Sequence, residues 1–222
     1  MPGVPLSSSM DWLQAVLGLI VLTDLSLLAT ERRRVCIRLI ALQGMLLGIL
    51  PLVMHKGDAG VYPWTVAAIF FGTKGLLLPW LLRRTIRKLP PLMPMRPYVG
   101  NTVCVLLGVC GFILSLWLGA RLGLPYNPLL TRVFPIAFTT IFAGLLLIVA
   151  HRTALTQIFG YLVLENGIYL LGVPMAQSET LWVELSILLD ILVGVFVMGI
   201  AVHHIYRAFE STDVDQFAAL RD

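Results

Sequence analysis

The chain has 222 residues, of which 58% are hydrophobic and 13% are charged, and its formal net charge is +4. A soluble domain contains about 25% charged residues, so this composition, with a mean hydropathy of +0.89, excludes an ordinary soluble protein and indicates a membrane protein. The basic residues form short clusters between apolar runs rather than one basic face, which excludes a nucleic-acid interface.

Seven apolar runs are each long enough to cross about 30 Å of hydrocarbon as a helix. In chain order they are predicted at 11–29, 35–54, 63–82, 100–120, 129–150, 153–173 and 181–203. Residues 83–98 contain four prolines and predict an extended strap, because proline cannot continue a helix. The predicted fold class is all-α, a polytopic membrane helical bundle of about seven transmembrane helices.

The orientation follows from basic residues near the helix ends. Those that follow the first, third, fifth and seventh runs are Arg32, Arg33, Arg34, Arg38, Arg83, Arg84, Arg87, Lys88, Arg96, Arg152 and Arg207. The alternate loops hold fewer, so the N-terminus is predicted outside and the C-terminus in the cytoplasm. Residues 1–10 contain no lysine or arginine, and we expect the first run to be retained rather than cleaved as a signal peptide.

The chain divides into two predicted parts. Residues 1–128 form an N-terminal four-helix part, and residues 129–222 form a three-helix part with a short cytoplasmic tail. Residues 41–44 (ALQG) and 163–167 (VLENG) place a polar group midway along the second helix of each three-helix unit. This pattern indicates a weak internal repeat with the fourth helix as a spacer, as in many transport proteins, although the unequal loops leave chance similarity open.

Four ionisable residues lie inside the predicted spans: Asp24, Lys74, Glu165 and Asp190. A charge near the bilayer centre costs about 2.5–3.5 kcal/mol on insertion scales, so such residues indicate function or helix-to-helix pairing. Lys74 is predicted either to carry protons or to neutralise an acid. Asp24 lies nearer the cytoplasmic end, where it could snorkel toward water.

Polar residues recur every four positions on the sixth predicted helix. Gln157, Tyr161, Glu165 and Tyr169 therefore share one stripe, which we expect to face inward. The stripe is either a polar packing seam or a proton-conducting face.

On the seventh helix Ser186 and Asp190 share a face, with Glu184 nearer the outer end. Two acids at similar depth on adjacent helices can exchange a proton through water. Gln43 is a further polar position at mid-depth. The predicted proton path consists of Glu165, Asp190 and Lys74. Its possible auxiliary members are Gln157, Tyr161, Tyr169, Ser186, Glu184, Asp24 and Gln43.

Metal and cofactor motifs are weak. Cys36, Cys104 and Cys110 have no CxxC spacing and are interpreted as small apolar residues, so no cofactor is predicted. His151 lies at the end of the fifth predicted helix, and His203 and His204 lie at the end of the seventh. Facing histidines could bind a haem, but at the membrane interface contact with headgroups or a soluble partner is the favoured interpretation.

Residues 157–167 resemble the sixth helix of the hydrogenase-4 component E family, and residues 189–191 and 195–198 resemble its seventh. The dipeptide Thr73-Lys74 and residues 212–215 also resemble the same family. The last three helices are also similar to the K-type subunit of complex I and the C-type subunit of multisubunit cation/proton antiporters.

The resemblance implies that Glu165 occupies the position of a proton-translocating glutamate and that Asp190 lies near the second such position. It implies a multi-pass, proton-path subunit of a group 4 nickel–iron hydrogenase complex in the cytoplasmic (inner) membrane. Implied partners are antiporter-like and other membrane subunits, lipid, and soluble nickel–iron and iron–sulfur subunits. The chain alone would not be an enzyme. The alternatives are an assembly subunit of the same complex and, less favoured, a stand-alone transporter or membrane cytochrome.

Overall fold

The computed structural model describes residues 6–54, 64–65, 67–68, 71–88, 98, 100–122, 128–151, 154–172 and 174. Nearly all of these residues are helical. The elements are α1 (Leu6–Ala29), α2 (Arg33–Met54), a π-helical segment (Phe71–Leu77) that continues as α3 (Leu78–Lys88), α4 (Asn101–Arg121), α5 (Pro128–Ala150) and α6 (Ala154–Gly172).

The all-helical prediction is confirmed for the described residues. The first, second, fourth, fifth and sixth predicted runs each coincide with one helix. Within the part of the chain that the structure describes, three stretches are long and apolar enough to cross a membrane: Asp11–Ala29, Asn101–Arg121 and Leu129–Ala150. The seventh predicted run and the C-terminal tail lie outside the described residues.

The third predicted run differs from expectation in two ways. Residues Phe71–Leu77 form a π-helical segment, a local widening that hydrophobic periodicity does not signal. The helix then continues to Lys88, so the extended strap is wrong for residues 83–88. Those residues contain good helix formers and precede the first proline of the loop, Pro90, so nothing in them ends the helix.

Two buried apolar clusters lie at opposite ends of the described helices. The first apolar cluster is Leu27, Leu28, Cys36, Ile37, Ile40, Leu78, Leu82, Ala143, Leu147, Ile158, Phe159, Leu162 and Val163. The second apolar cluster is Leu13, Leu17, Ile20, Leu46, Leu47, Leu50, Val133, Ala137, Tyr169 and Leu170. Along α1 and α5 the chain runs from the second cluster to the first, and along α2 and α6 it runs back. Each of these helix pairs, α1 with α2 and α5 with α6, is therefore antiparallel.

The α5–α6 pair makes the closest helix contact. A Cβ atom on Gly144 would lie 2.5 Å from the backbone nitrogen of Leu164 and 2.7 Å from the carbonyl oxygen of Gly160. A Cβ atom on Gly160 would likewise lie 2.7 Å from the carbonyl oxygen of Gly144. Only glycine at these two positions lets the backbones touch, as in small-residue contacts between membrane helices. This contact fixes the position of α6 on α5.

Candidate functional site

Six polar side chains form a continuous layer between the two apolar clusters. They lie on α1, α2, the π-helical segment, α5 and α6, and each residue is at most 3% exposed. We call them the polar layer: Asp24, Gln43, Lys74, Thr140, Glu165 and Asn166. On α1 and α6 the layer positions fall between the residues contributed to the two clusters, so the layer lies midway along the bundle.

Lys74 and Glu165 form a buried ion pair at one side of this layer. The Lys74 Nζ atom lies 2.8 Å from Glu165 Oε1. It also donates a hydrogen bond to Asn166 Oδ1 at 3.2 Å, and it lies 5.7 Å from the centroid of the Tyr169 ring. A buried pair needs such additional contacts, because burying charges costs free energy that the pair alone does not always recover.

A close approach of α2 sets the position of the lysine. A Cβ atom on Gly44 would lie 2.7 Å from Lys74 Cβ and 3.1 Å from the Lys74 carbonyl oxygen. The glycine therefore lets α2 pass directly over the π-helical segment. The neighbouring residue, Gln43, is fully buried in the same layer.

Two side-chain amides join the ion pair to Asp24. Asn166 Nδ2 donates to Gln43 Oε1 at 3.1 Å, and Gln43 Nε2 donates to Asp24 Oδ1 at 2.8 Å. The second carboxylate oxygen of Asp24 lies 2.7 Å from Thr140 Oγ1. The result is one hydrogen-bonded path from Glu165 to Thr140, with titratable groups toward both ends and amides between them.

The structure brings two of the three main predicted residues together. Lys74 and Glu165 are in direct contact, and Asp190 lies outside the described residues, as do the auxiliary candidates Ser186 and Glu184. The auxiliary candidates Asp24 and Gln43 are members of the polar layer. The interpretation that Asp24 snorkels toward water is wrong, because its side chain is fully buried and hydrogen-bonded to α2 and α5.

The predicted stripe on α6 divides between two environments. Glu165 and Tyr169 are buried, as expected. Gln157 and Tyr161 are exposed, Tyr161 by 54%, so the expectation that the whole stripe faces inward is wrong for these two residues. Positions four apart drift around a helix of 3.6 residues per turn, and over three such steps the stripe leaves the buried face.

Asn166 and Thr140 were not predicted as site residues. Asn166 follows Glu165 directly, and it was overlooked because only the ionisable neighbour was considered as a site residue. Thr140 is the second of two consecutive threonines midway along α5, in a stretch that is otherwise apolar from Val133 to Ala150. Its position midway along the helix could have indicated the contact, because a hydroxyl at that depth can reach a carboxylate at the same depth on a neighbouring helix.

A second polar cluster lies where α1, α4 and α5 end or begin. Asn101 Nδ2 donates to Glu31 Oε1 at 3.0 Å, and His151 Nδ1 lies 3.2 Å from the Leu147 carbonyl oxygen. Burial lowers the pKa of His151, against smaller opposing effects of that carbonyl and of Glu31. His151 is only 7% exposed, so the prediction that it contacts headgroups or a partner is wrong for this histidine.

Known proteins resemble this chain over most of its length. The family model described as NADH-ubiquinone/plastoquinone oxidoreductase chain 4L matches residues 133–222. Hydrogenase-4 component E of Escherichia coli (strain K12) is 28% identical over 204 residues, which cover 92% of this chain and 94% of the relative, and that of Shigella flexneri matches equally. An uncharacterized protein of Mycobacterium tuberculosis is 29% identical over 206 residues, with the same coverage. No solved structure matches the chain. These matches support the resemblance to the hydrogenase-4 component E family over nearly the whole chain, and the resemblance of its C-terminal part to chain 4L.

Proposed function

We propose that this chain is a membrane-arm subunit of a complex I-like, proton-translocating nickel–iron hydrogenase complex. The relative from Escherichia coli is named as a hydrogenase component, and the matching family model is that of an oxidoreductase chain. In this proposal soluble partner subunits on the cytoplasmic side hold the nickel–iron and iron–sulfur centres. Antiporter-like and other membrane subunits adjoin the chain, which is not an enzyme on its own.

The polar layer carries this proposal. Lys74 and Glu165 are held 2.8 Å apart in a bundle whose other buried residues are mostly apolar. Each can gain or lose a proton, and both are connected by hydrogen bonds to further polar side chains. We assign Glu165 and Asp190 as relay carboxylates and Lys74 as their charge partner or a third carrier. The assignment of Asp190 rests on the sequence alone.

The arrangement of the apolar clusters supports movement of protons within the layer. Apart from Tyr169 and Cys36, each cluster closes one end of the described bundle with aliphatic and phenylalanine side chains, which offer no hydrogen bonds to a proton. Protons would therefore enter and leave sideways, through helix seven and neighbouring subunits. Tyr169, whose ring faces Lys74, stays an auxiliary member of this path.

We further propose about seven membrane-spanning helices in the cytoplasmic (inner) membrane, with the N-terminus outside and the C-terminus in the cytoplasm. The positions of the loop arginines support this orientation, and the antiparallel helix pairs are consistent with it. The match of the chain 4L model to residues 133–222 supports a K-like unit at 129–222, preceded by a separate N-terminal part at 1–128.

The test is Glu165→Gln in the intact complex, reconstituted into vesicles. We expect proton translocation per turnover to fall by at least about tenfold, since removal of a proton-transferring group has effects of this order or larger. Glu31→Gln is the matched control, because it makes the same chemical change in an exposed residue outside the polar layer. Normal pumping by a normally assembled Glu165→Gln complex would refute the relay role.

A second candidate function is assembly. The ion pair joins the π-helical segment to α6 and so connects two parts of the chain that are 91 residues apart. If this is its only role, Glu165→Gln lowers the yield of the complex but leaves the number of protons moved per turnover unchanged. Measuring yield and pumping on the same preparations separates the two functions.

A further inference from the structure

The charges of the polar layer do not balance when all its groups are ionised. Among the described residues, the buried acidic and basic side chains of the layer are Asp24, Lys74 and Glu165, with a sum of −1. Residues 173–206 contain no lysine or arginine, and Asp190 of the predicted seventh helix would add a further acid rather than a compensating lysine or arginine. Because an uncompensated charge in the membrane interior is costly, one additional proton on this group of three is favoured.

Among the residues that the structure describes, the elements around Asp24 offer no other titratable partner in the layer. α1 contacts α2, α4 and α5. Gln43 of α2 and Thr140 of α5 bind the carboxylate. The buried positions of α4 hold small uncharged residues: Cys104, Gly108, Gly111, Ser115 and Gly119. Lys74 and Glu165 are therefore the charged groups of the described layer to which Asp24 is linked, through the amides.

The two amides point in one direction. Lys74 donates to Asn166, Asn166 donates to Gln43, and Gln43 donates to Asp24. Hydrogen bonds aligned in this way polarise one another, so the ammonium charge of Lys74 is felt at Asp24. A side-chain amide has N–H donors and a carbonyl acceptor but does not titrate, so the bridge transmits polarisation without passing a proton.

Thr140 can serve Asp24 in either protonation state. Its Oγ1 lies 2.7 Å from Asp24 Oδ2 and 3.0 Å from the Ile136 carbonyl oxygen. When Asp24 is ionised, the hydroxyl donates to the carboxylate. When Asp24 is protonated, the hydroxyl accepts from the acid and donates to Ile136 instead. The site is thus suited to both states without any rearrangement of the backbone.

We infer that Asp24 and Glu165 share one proton between them, with Lys74 neutralising whichever of the two carboxylates is ionised. Lys74 pairs with Glu165 directly and with Asp24 through Asn166 and Gln43. A proton taken up from water by one carboxyl group is matched by a proton released to water from the other, because the amides between them do not carry it. The consequence for transport rests on the proposed function, whereas the sharing itself does not.

The test is the carboxylic acid C=O stretching band in infrared difference spectra of the assembled complex at neutral pH. Asp24→Asn and Glu165→Gln each substitute a neutral amide that can keep the hydrogen bonds. If one proton is shared, each single variant removes one acid band, and the double variant removes no more than either. Two independent acids would instead lose additive intensity, and loss in only one single variant would place the proton on one site. Either result overturns the inference.

The role of the bridge is tested by repeating the series with Gln43→Met, a substitution of similar length without the amide. We expect the losses to become additive, because the aligned donors are interrupted. Non-additive losses that persist in this background would overturn the role of the amides. Glu31→Gln is the control and should leave the band unchanged. These spectra involve no turnover, so their outcome is independent of the pumping test on Glu165→Gln.

Discussion

Helices α4 and α6 have similar lengths and are both strongly apolar, yet they differ in which side chains they bury. In α4 the buried positions are small, from Cys104 to Gly119, and large residues such as Leu114 and Trp117 are exposed by 53% and 55%. In α6 large side chains are buried on the same helix as Glu165 and Asn166. α4 therefore turns its large side chains outward, whereas α6 turns Glu165 and Asn166 inward.

This difference shows what hydropathy can and cannot predict for a membrane helix. The hydrocarbon is as apolar as a protein core, so mean hydropathy does not separate a peripheral helix from a central one. Polar residues at mid-depth make that distinction, because they are costly against lipid. The three predictions below concern the ion pair of α6, the contact of α6 with α5, and the outward face of α4, from the largest expected effect to the smallest.

Lys74→Met should have the largest effect on the α6 side. It leaves Glu165 buried without its ammonium partner, and breaking a buried ion pair costs about 3–5 kcal/mol. The thermal unfolding midpoint of the purified complex should fall clearly. Adding Glu165→Gln removes the uncompensated charge and should restore most of the loss. If the double variant is no more stable than Lys74→Met, the ion pair is not the cause.

Gly160→Leu should cause the next largest loss of stability, and the fraction of monodisperse protein should fall. The reason is that the substitution inserts a side chain where α6 touches the backbone of α5. Overpacking of this kind costs about 1–3 kcal/mol and often more against rigid backbone. The measurement is the fraction of monodisperse protein after extraction from the membrane.

Gly18→Leu is the matched control, since a Cβ atom at this helical position meets nothing within 4 Å. It should leave the extracted fraction unchanged. Equal losses in both variants would contradict a special α5–α6 contact.

Leu114→Ala on the outward face of α4 should have the smallest effect. More than half of this side chain is exposed, and surface substitutions usually change stability by less than about 0.5 kcal/mol. The unfolding midpoint should therefore not move. A substantial loss of stability in the complex, with none in the isolated chain, would assign this face to a partner subunit instead of lipid.

The sequence predicted the positions of the helices better than the environment of their side chains. Five runs were placed because length and hydropathy suffice for that purpose. The π-helical segment was missed, since its glycines, Gly72 and Gly75, occur in ordinary membrane helices as well. The contact of Lys74 with Glu165 could not be predicted, because it depends on how two helices from distant parts of the chain are packed.

Errors at Asp24 and Tyr161 have the same physical origin. Depth along a helix follows from residue count, but the direction of a side chain depends on which face meets a neighbour. Asp24 was placed near an end and proved to face α2 and α5. Tyr161 was placed on an inward stripe and proved to be exposed.

The mid-depth position of the polar layer has an electrical consequence. Moving one elementary charge fully across a membrane involves about 2.3 kcal/mol per 100 mV. A charge that shifts sideways from one residue of the layer to another crosses almost none of that voltage. Rearrangements between Lys74, Glu165 and Asp24 should therefore proceed at the same rate in energised and de-energised membranes. The voltage would act instead on the steps that connect this layer to water on either side.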